Sequence, residues 1–186
     1  MVGSSDPRSA ISDQLTTGPA PRRGAFTLVE VLIVVLMLGI LFGLALPQMG
    51  DSRMLSLREA ACLVAADFEF AQNESIAHGD NLRLVKFDTS GNRYWVAAAS
   101  APDTPVTDPA SGQPLLTVFG SDRATGLAGV TIQSVNLGGD DVLKFNAFGS
   151  PDQASDATVT LAIQAAGGTQ TLTVRVKAGS GEVTID

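Results

Sequence analysis

The residues of this 186-residue chain that could carry out chemistry are few and stand far apart. His78 is the one histidine and Cys62 the one cysteine, so the sequence offers no zinc-binding pair and no internal disulfide. No nucleophile-elbow motif accompanies His78, which precedes Gly79 at the end of a helical pattern. We therefore expect no catalytic residue, no metal site and no cofactor, and we interpret Cys62 as a buried thiol on an apolar helix.

Acidic residues gather in two loops, where calcium could bind to carboxylates and carbonyls. Asp140 and Asp141 follow two glycines, while Asp103 and Asp108 lie in the Pro-rich segment Ser100–Pro114. A solvated turn explains the first pair, and a long loop, open to a partner, explains the second.

Glu30 is the residue that most needs a chemical explanation. It lies inside Phe26–Leu46, 21 residues that carry no other charge. At the centre of a bilayer a carboxylate costs about 2.5 to 3.5 kcal/mol, and the cost falls near the helix end. If the chain is cut before Phe26, the new amine is a cationic partner. In an assembly, Glu30 of one subunit can pair with that amine of its neighbour and set the axial stagger between helices.

Four other interpretations of this segment leave Glu30 or the length unexplained. A secretory signal peptide has a shorter apolar region and does not favour an internal carboxylate. A lipoprotein signal requires a cysteine close behind the apolar run, and Cys62 is too distant. An ordinary membrane anchor accounts for the length but gives Glu30 no role. A buried helix of a soluble domain does not need 21 almost uncharged residues.

Three segments are needed to position Glu30. Residues 1–25 form a polar leader that ends near Arg22 and Arg23. Residues 26–46 form a helix of roughly 31 Å, which matches a bilayer core. The two arginines keep its N-terminus in the cytoplasm and send residues 47–186 across the membrane. Pro47 predicts a kink or loosening of the helix.

The remaining chain predicts an α+β domain. Helical periodicity over 52–78 places five apolar residues on one face, namely Leu57, Ala61, Val64, Phe68 and Ala71. The charged residues Arg58, Asp67, Glu69 and Glu74 are expected mostly elsewhere around the helix. Alternation with a period of two follows over 81–186 and predicts a largely antiparallel sheet, with strands at 81–87, 93–97, 115–119, 130–135, 142–145, 158–163, 171–176 and 182–185. The long helix is the only predicted element that can cover one face of that sheet.

The segment GAFTLVEVLIVVLMLGILFGLALP, from Gly24 to Pro47, resembles the class III signal and N-terminal helix of type IV pilins and pseudopilins. The resemblance covers the basic leader, the run FTLVE from Phe26 to Glu30, and the helix proline. It implies a pilin-like fold in which a long N-terminal helix, membrane-spanning in its first half, packs on the sheet. It also implies that a prepilin peptidase removes residues 1–25 and methylates the amine of Phe26.

The cleavage site departs from the family pattern by one residue. Members usually have glycine directly before the phenylalanine, whereas Ala25 stands there and Gly24 comes one position earlier. A cut between Ala25 and Phe26 keeps the family's spacing from the new N-terminus to Glu30. A cut after Gly24 would move Glu30 one place further in.

The stretch Leu57–Asp88 is similar to the H-type minor pseudopilins of type II secretion and their minor-pilin relatives, the GspH/FimT family. Gln72 stands where that family commonly has arginine. Phe145–Gly149 resembles the family's Phe-x-x-x-Gly pattern, and Ser180–Ile185 its final glycine and strand.

These resemblances imply a minor pseudopilin, a structural subunit of the type II secretion pseudopilus that takes part in protein export across the outer membrane. Its implied partners are prepilin peptidase, other major and minor pseudopilins, the inner-membrane assembly platform and membrane lipid. Its implied location is the inner membrane, single-pass, with the N-terminus cytoplasmic and the C-terminal domain in the periplasmic pseudopilus. A minor type IV pilin, acting in pilus assembly, is the alternative.

The charge of the processed chain bears on other functions. Residues 26–186 contain nine basic and 17 acidic residues, a net charge of −8. Nucleic-acid binding needs clustered lysine and arginine, so a DNA-uptake pilin is disfavoured. An enzyme tethered by a signal anchor is a third possibility, but the sequence shows no constellation of reactive groups for it.

Overall fold

The computed structural model describes residues 27–45 and 52–186. The chain divides after Ala45 into two units, which are described separately. The first unit contains one described helix, α1 (Leu28–Ala45), whose 18 residues include a single charged side chain, Glu30. Its sequence is apolar on every side, as expected for a helix surrounded by lipid or by other apolar helices.

Among the described residues, no helix qualified as long and apolar enough to cross a membrane. The predicted span of residues 26–46 begins and ends at residues outside the described ranges, and it stays a prediction.

The first described element of the second unit is α2 (Ser52–Ala77), a helix of 26 residues. The strands that follow are β1 (Arg83–Asp88), β2 (Arg93–Ala98), β3 (Ala101–Pro105), β4 (Leu116–Val118), β5 (Val130–Asn136), β6 (Val142–Lys144), β7 (Ala157–Ala165), β8 (Gly168–Val176) and β9 (Val183–Ile185). A short 3₁₀ segment, Asp122–Leu127, lies between β4 and β5.

The strands form two antiparallel sheets rather than the single sheet that the sequence predicted. One sheet has the order β3-β2-β1-β6, with β4 also paired to β2. The other has the order β5-β7-β8-β9, and its longest pairing joins Ala157–Ala165 to Gly168–Val176. Helix α2 packs against strands of both sheets, so a single helix supplies apolar cover for the two of them.

The apolar stripe predicted on the long helix is confirmed. All five of its residues, Leu57, Ala61, Val64, Phe68 and Ala71, are completely buried. Facing them is a chain of aromatic rings from the first sheet, in which Phe87 lies 6.0 Å from Phe68 and stacks 5.3 Å from Tyr94. The helix ends one residue earlier than predicted, at Ala77.

Two predictions about α2 were wrong. Cys62 is exposed rather than buried, because it lies about 100° around the helix from Ala61 and so leaves the buried stripe. Asp67, which we had placed mostly outside that stripe, is 4% exposed. Its position three residues after Val64 and one before Phe68 puts it on the buried face.

All eight predicted strands are present, and one strand was missed. Strand β3 lies within Ser100–Pro114, which its prolines and aspartates had marked as a loop. It pairs with β2 through a register shift at Ala97 and Ala98, and it forms a sheet edge, where prolines are tolerated.

Candidate functional site

The start of α1 is fixed by a capping contact that involves the residues predicted to act in assembly. The backbone N–H of Glu30 donates to Thr27 Oγ1 at 3.2 Å, and the N–H of Val31 donates to the Thr27 carbonyl at 3.2 Å. Thr27 is therefore the N-cap, and Glu30 is the third helical residue of a Thr-x-x-Glu capping pattern. At that position the carboxylate is also close to the positive end of the helix dipole.

The side surface of α1 is apolar apart from Glu30. Thirteen large apolar residues between Leu28 and Phe42 are 50 to 81% exposed within this chain. Glu30 is exposed as well, and its carboxylate makes no hydrogen bond or ion pair with another of the described residues. Such a helix requires lipid or neighbouring apolar helices around it, and Glu30 is free to pair with a group on one of those neighbours.

The other predicted site residues lie outside the described residues. These are Gly24 and Ala25 at the predicted cut, Phe26 at the predicted methylation site, and Pro47 at the predicted kink. Their roles stay predictions.

Gln72 joins three separate parts of the second unit. Its Nε2 donates to the carbonyl of Gly149 at 2.7 Å and to the carbonyl of Gly181 at 3.3 Å. The first acceptor belongs to the Phe-x-x-x-Gly segment and the second to the glycine that precedes β9. Gln72 thus binds two carbonyl groups through one amide. An arginine at the same position of α2 could also bind both, because each side chain provides more than one N–H donor.

We expect Gly181→Ala to disrupt this junction. Gly181 has φ +71, and an added methyl group would overlap with the Gly149 carbonyl oxygen and with Gln72 Nε2. The combined backbone strain and collision should lower the free energy of unfolding by about 2 to 4 kcal/mol, measured by urea denaturation of the chain from Asp51 onward. Gly179→Ala is the matched control, since Gly179 has φ +80 but open space around it. Its effect should stay near 1 kcal/mol, and equal losses in both variants would refute the junction.

A buried polar network crosses the core at the middle of α2. Tyr94 Oη donates to Asp67 Oδ2 at 2.7 Å, and an Arg123 guanidinium nitrogen donates to Asp67 Oδ1 at 3.0 Å. The Asp67 carboxylate therefore connects α2, β2 and the 3₁₀ segment. We did not predict this network. The position of Asp67 between Val64 and Phe68 in the sequence does indicate a carboxylate on the buried face of α2.

Burial raises the pKa of Asp67 above its ordinary value, while the Arg123 charge and the Tyr94 hydrogen bond act in the opposite direction and only partly offset it. A carboxyl group whose pKa is higher in the folded state stabilises the fold fully only below its unfolded pKa of 3.8. That contribution is lost as the pH rises through the folded pKa.

Asp67→Asn should abolish this pH dependence while keeping an acceptor for Tyr94. Relative to the variant, the wild type should lose stability as the pH rises above 3.8, by at most about 1.4 kcal/mol per pH unit for one proton. Urea denaturation at several pH values measures the difference. Parallel stability curves for the two proteins would contradict the assigned direction of the Asp67 shift.

A surface cavity of about 540 Å³ lies next to this network. Its walls are the turn after β3 and the 3₁₀ segment, and its lining residues are Asp108, Ser111, Gln113, Pro114, Leu115, Leu116, Asp122 and Arg123. Asp108 is engaged by its own turn, since its carboxylate accepts from the Ala110 N–H at 2.9 Å and from Ser111 Oγ at 2.7 Å. These local hydrogen bonds lower the pKa of Asp108.

The remaining candidates have local structural roles. The His78 N–H donates to the Glu74 carbonyl at 2.9 Å, which places His78 at the end of α2 as predicted. Asp140 accepts from the Val142 N–H at 3.2 Å within its turn. The structure does not bring His78, Cys62, Asp140 and Asp141 together as one site.

Comparison with known families gives two matches that together span most of the chain. The profile of the prokaryotic N-terminal methylation motif matches residues 21–46. The profile of the type II transport protein GspH matches residues 60–180. No significant match was found among curated proteins.

A search of solved structures found the crystal structure of the type IV minor pilin FimU of Pseudomonas aeruginosa. The two chains are 17% identical, with a TM-score of 0.46. The similarity covers 70% of this chain and 87% of FimU.

The two profile matches assign a general role. The N-terminal motif indicates a membrane-anchored pilin that is processed by prepilin peptidase and assembles with other pilins. The matched family has a structural role, as a pseudopilin or minor pilin, rather than a catalytic one. Since the second profile alone spans 121 of the 186 residues, the chain belongs to the GspH family of pilin-like type II transport proteins.

Proposed function

We propose that this chain is a minor pseudopilin, a structural subunit of the type II secretion pseudopilus that supports protein export across the outer membrane. The observation that carries the proposal is α1, an apolar helix with every described side chain exposed and one carboxylate, that of Glu30, in its first turn. Such a helix has no stable place in water by itself, whereas the apolar helices of neighbouring filament subunits can cover its whole surface.

In the proposed assembly, Glu30 pairs with the amine of Phe26 on the neighbouring subunit. A cut between Ala25 and Phe26 creates that amine, and methylation leaves it able to carry a positive charge. In apolar surroundings an unpaired carboxylate is costly, so the pair favours one axial stagger between neighbouring helices over the others.

The proposed subunit has three parts. Residues 1–25 are a cytoplasmic leader, residues 26–46 are the membrane and assembly helix, and residues 47–186 are the periplasmic domain. Pro47 kinks the chain between the last two parts. Before assembly the subunit stays in the inner membrane among lipid, and the assembly platform then adds it to the pseudopilus beside other pseudopilins.

A minor type IV pilin is the second candidate, and the same features of α1 support it. The two differ in the machinery that the subunit serves. Deletion of the gene in the native host separates them, because a secretion subunit is required for exoprotein release and a pilus subunit for surface pili.

Mass spectrometry of the intact protein and of its N-terminal peptide, from membranes of the native host, tests the proposal. We expect a chain that starts at Phe26 and carries one extra methyl group. A chain that starts at Met1 or Val2 would indicate a plain membrane anchor. A start near Leu46 would indicate an ordinary signal peptide, and either result would exclude the assembly role of Glu30.

A further inference from the structure

Phe148 is exposed to an unusual degree for an aromatic residue in a folded domain. Its side chain is 89% exposed, more than any other large apolar side chain in the described part of the chain, those of α1 included. Two neighbours extend the apolar surface, namely Ile76, which is 51% exposed, and Ala147. We name Ile76, Ala147 and Phe148 the Phe148 patch.

The loop that carries Phe148 is held in place by hydrogen bonds. Asn146 Oδ1 accepts from the N–H groups of Phe148 at 2.8 Å and of Ser150 at 3.1 Å. The Gly149 N–H donates to the Asn146 carbonyl at 2.9 Å, and the Gly149 carbonyl accepts from Gln72. Ser150 Oγ donates to the Gly179 carbonyl. The aromatic side chain is therefore presented by an ordered backbone. Binding a partner then avoids the entropy cost of ordering this loop.

The loop lies against the last turns of α2, which joins the members of the patch into one surface. A methyl group placed on Gly149 would lie 2.7 Å from Ile76 Cδ1, and one placed on Gly79 would lie 3.2 Å from Ala147 Cβ. Polar groups surround the patch, since Glu74 lies 3.3 Å from Arg83 and 3.6 Å from His78, and the exposed Asp80 follows Gly79. The patch is therefore an apolar surface with a polar rim, as protein interfaces commonly are.

The size of the patch indicates the kind of partner. The surface area of three side chains is well below the roughly 800 Å² per partner that is buried in a stable complex of free proteins. A partner held nearby by its own membrane helix has an effective concentration in about the millimolar range, and a small apolar contact then suffices. Phe148 matches the type of contact that dominates such interfaces, a rigid aromatic anchor.

We propose that the Phe148 patch docks onto the globular domain of a neighbouring filament subunit that has its own apolar N-terminal helix. This inference rests on the proposed function and adds a contact between globular domains to the one between helices. Because the proposed subunit is a minor one, its neighbours in the filament are other chains rather than copies of itself. Phe148 inserts into an apolar surface of that neighbour, with Ile76 beside it.

Photo-crosslinking of the full-length chain in membranes of the native host tests the docking. In one variant a photoreactive benzoylphenylalanine replaces Phe148. In the control variant it replaces Gln133, an exposed residue of β5 in the β5-β7-β8-β9 sheet. We expect an adduct at position 148, several-fold above the control, with a different protein that begins with a methylated residue and an apolar helix. An adduct with a secreted protein, with lipid or with a second copy of this chain would overturn the proposal, and so would no adduct above the control.

Two substitutions show whether the apolar side chain causes the contact. Phe148→Ala should reduce several-fold the amount of that neighbour that co-purifies with this chain, whereas Phe148→Leu should retain most of it. Both variants should unfold at the wild-type temperature, because the side chain packs on little within the chain. Normal methylation of Phe26 without any position-148 adduct would refute the docking alone, while an unprocessed N-terminus would refute the proposed function.

Discussion

Replacing Val64 by Asp should strongly destabilise the second unit of this protein. Val64 is completely buried at the centre of the α2 stripe, and α2 packs against both sheets. A carboxylate there would lose its hydration and find no cationic partner, at a cost of about 4 kcal/mol or more. Small domains are stable by only about 5 to 15 kcal/mol, so a large part of the margin would be lost.

Urea denaturation of the chain from Asp51 onward, followed by circular dichroism, measures this effect. Ala66→Asp is the matched control, because Ala66 lies two residues away on the exposed side of α2. It introduces the same charge into the same helix and should change the free energy of unfolding by less than about 0.5 kcal/mol. Similar effects in the two variants would mean that the charge acts on the helix itself and not on its packing against the sheets.

The stripe that makes Val64 critical could be predicted from the sequence, because helical periodicity is a local property. Apolar residues repeated at steps of three and four indicate one buried face whatever that face packs against. The strands were predicted for a similar reason, since alternation and turn residues are also local signals. The chain's α+β class followed from the order of these elements.

The division into two sheets could not be predicted in this way. Strand pairing depends on contacts between distant residues, and nothing in the alternation of β5 shows that it joins β7 rather than β1. Strand β3 was missed because Pro102 and Pro105 are turn signals, although an edge strand tolerates them. Here tertiary pairing outweighed local propensity.

The buried network around Asp67 shows a different limit of sequence reasoning. Charged residues on helices are usually solvated, and that expectation placed Asp67 outside the buried face. The spacing from Val64 and Phe68 pointed the other way, but its partners Tyr94 and Arg123 are 27 and 56 residues distant in the chain. Without those partners a buried carboxylate would have been an unfavourable prediction.

Glu30→Val should leave membrane insertion intact and strongly impair filament assembly, under the proposed function. Valine makes residues 26–46 more apolar, so the helix remains at least as suitable for the bilayer. The amine of the neighbouring Phe26 would lose its partner in an apolar environment, and the preferred axial stagger would lose its basis. Membrane fractionation measures insertion, and the release of exoproteins by the host measures assembly.

Glu30 has a second possible role, which the geometry of α1 makes testable. Its N–H lies in the Thr27 cap, so a substitution could act by loosening the first turn of the helix instead of removing a charge. Glu30→Gln separates the two roles, because glutamine also suits the third position of a capping pattern but carries no charge. Thr27→Val is the complement, since it removes the capping hydroxyl and retains the carboxylate. If charge pairing sets the stagger, Glu30→Gln should impair assembly nearly as much as Glu30→Val, and Thr27→Val should do so far less. The reverse order would assign Glu30 to the helix cap and end the pairing proposal.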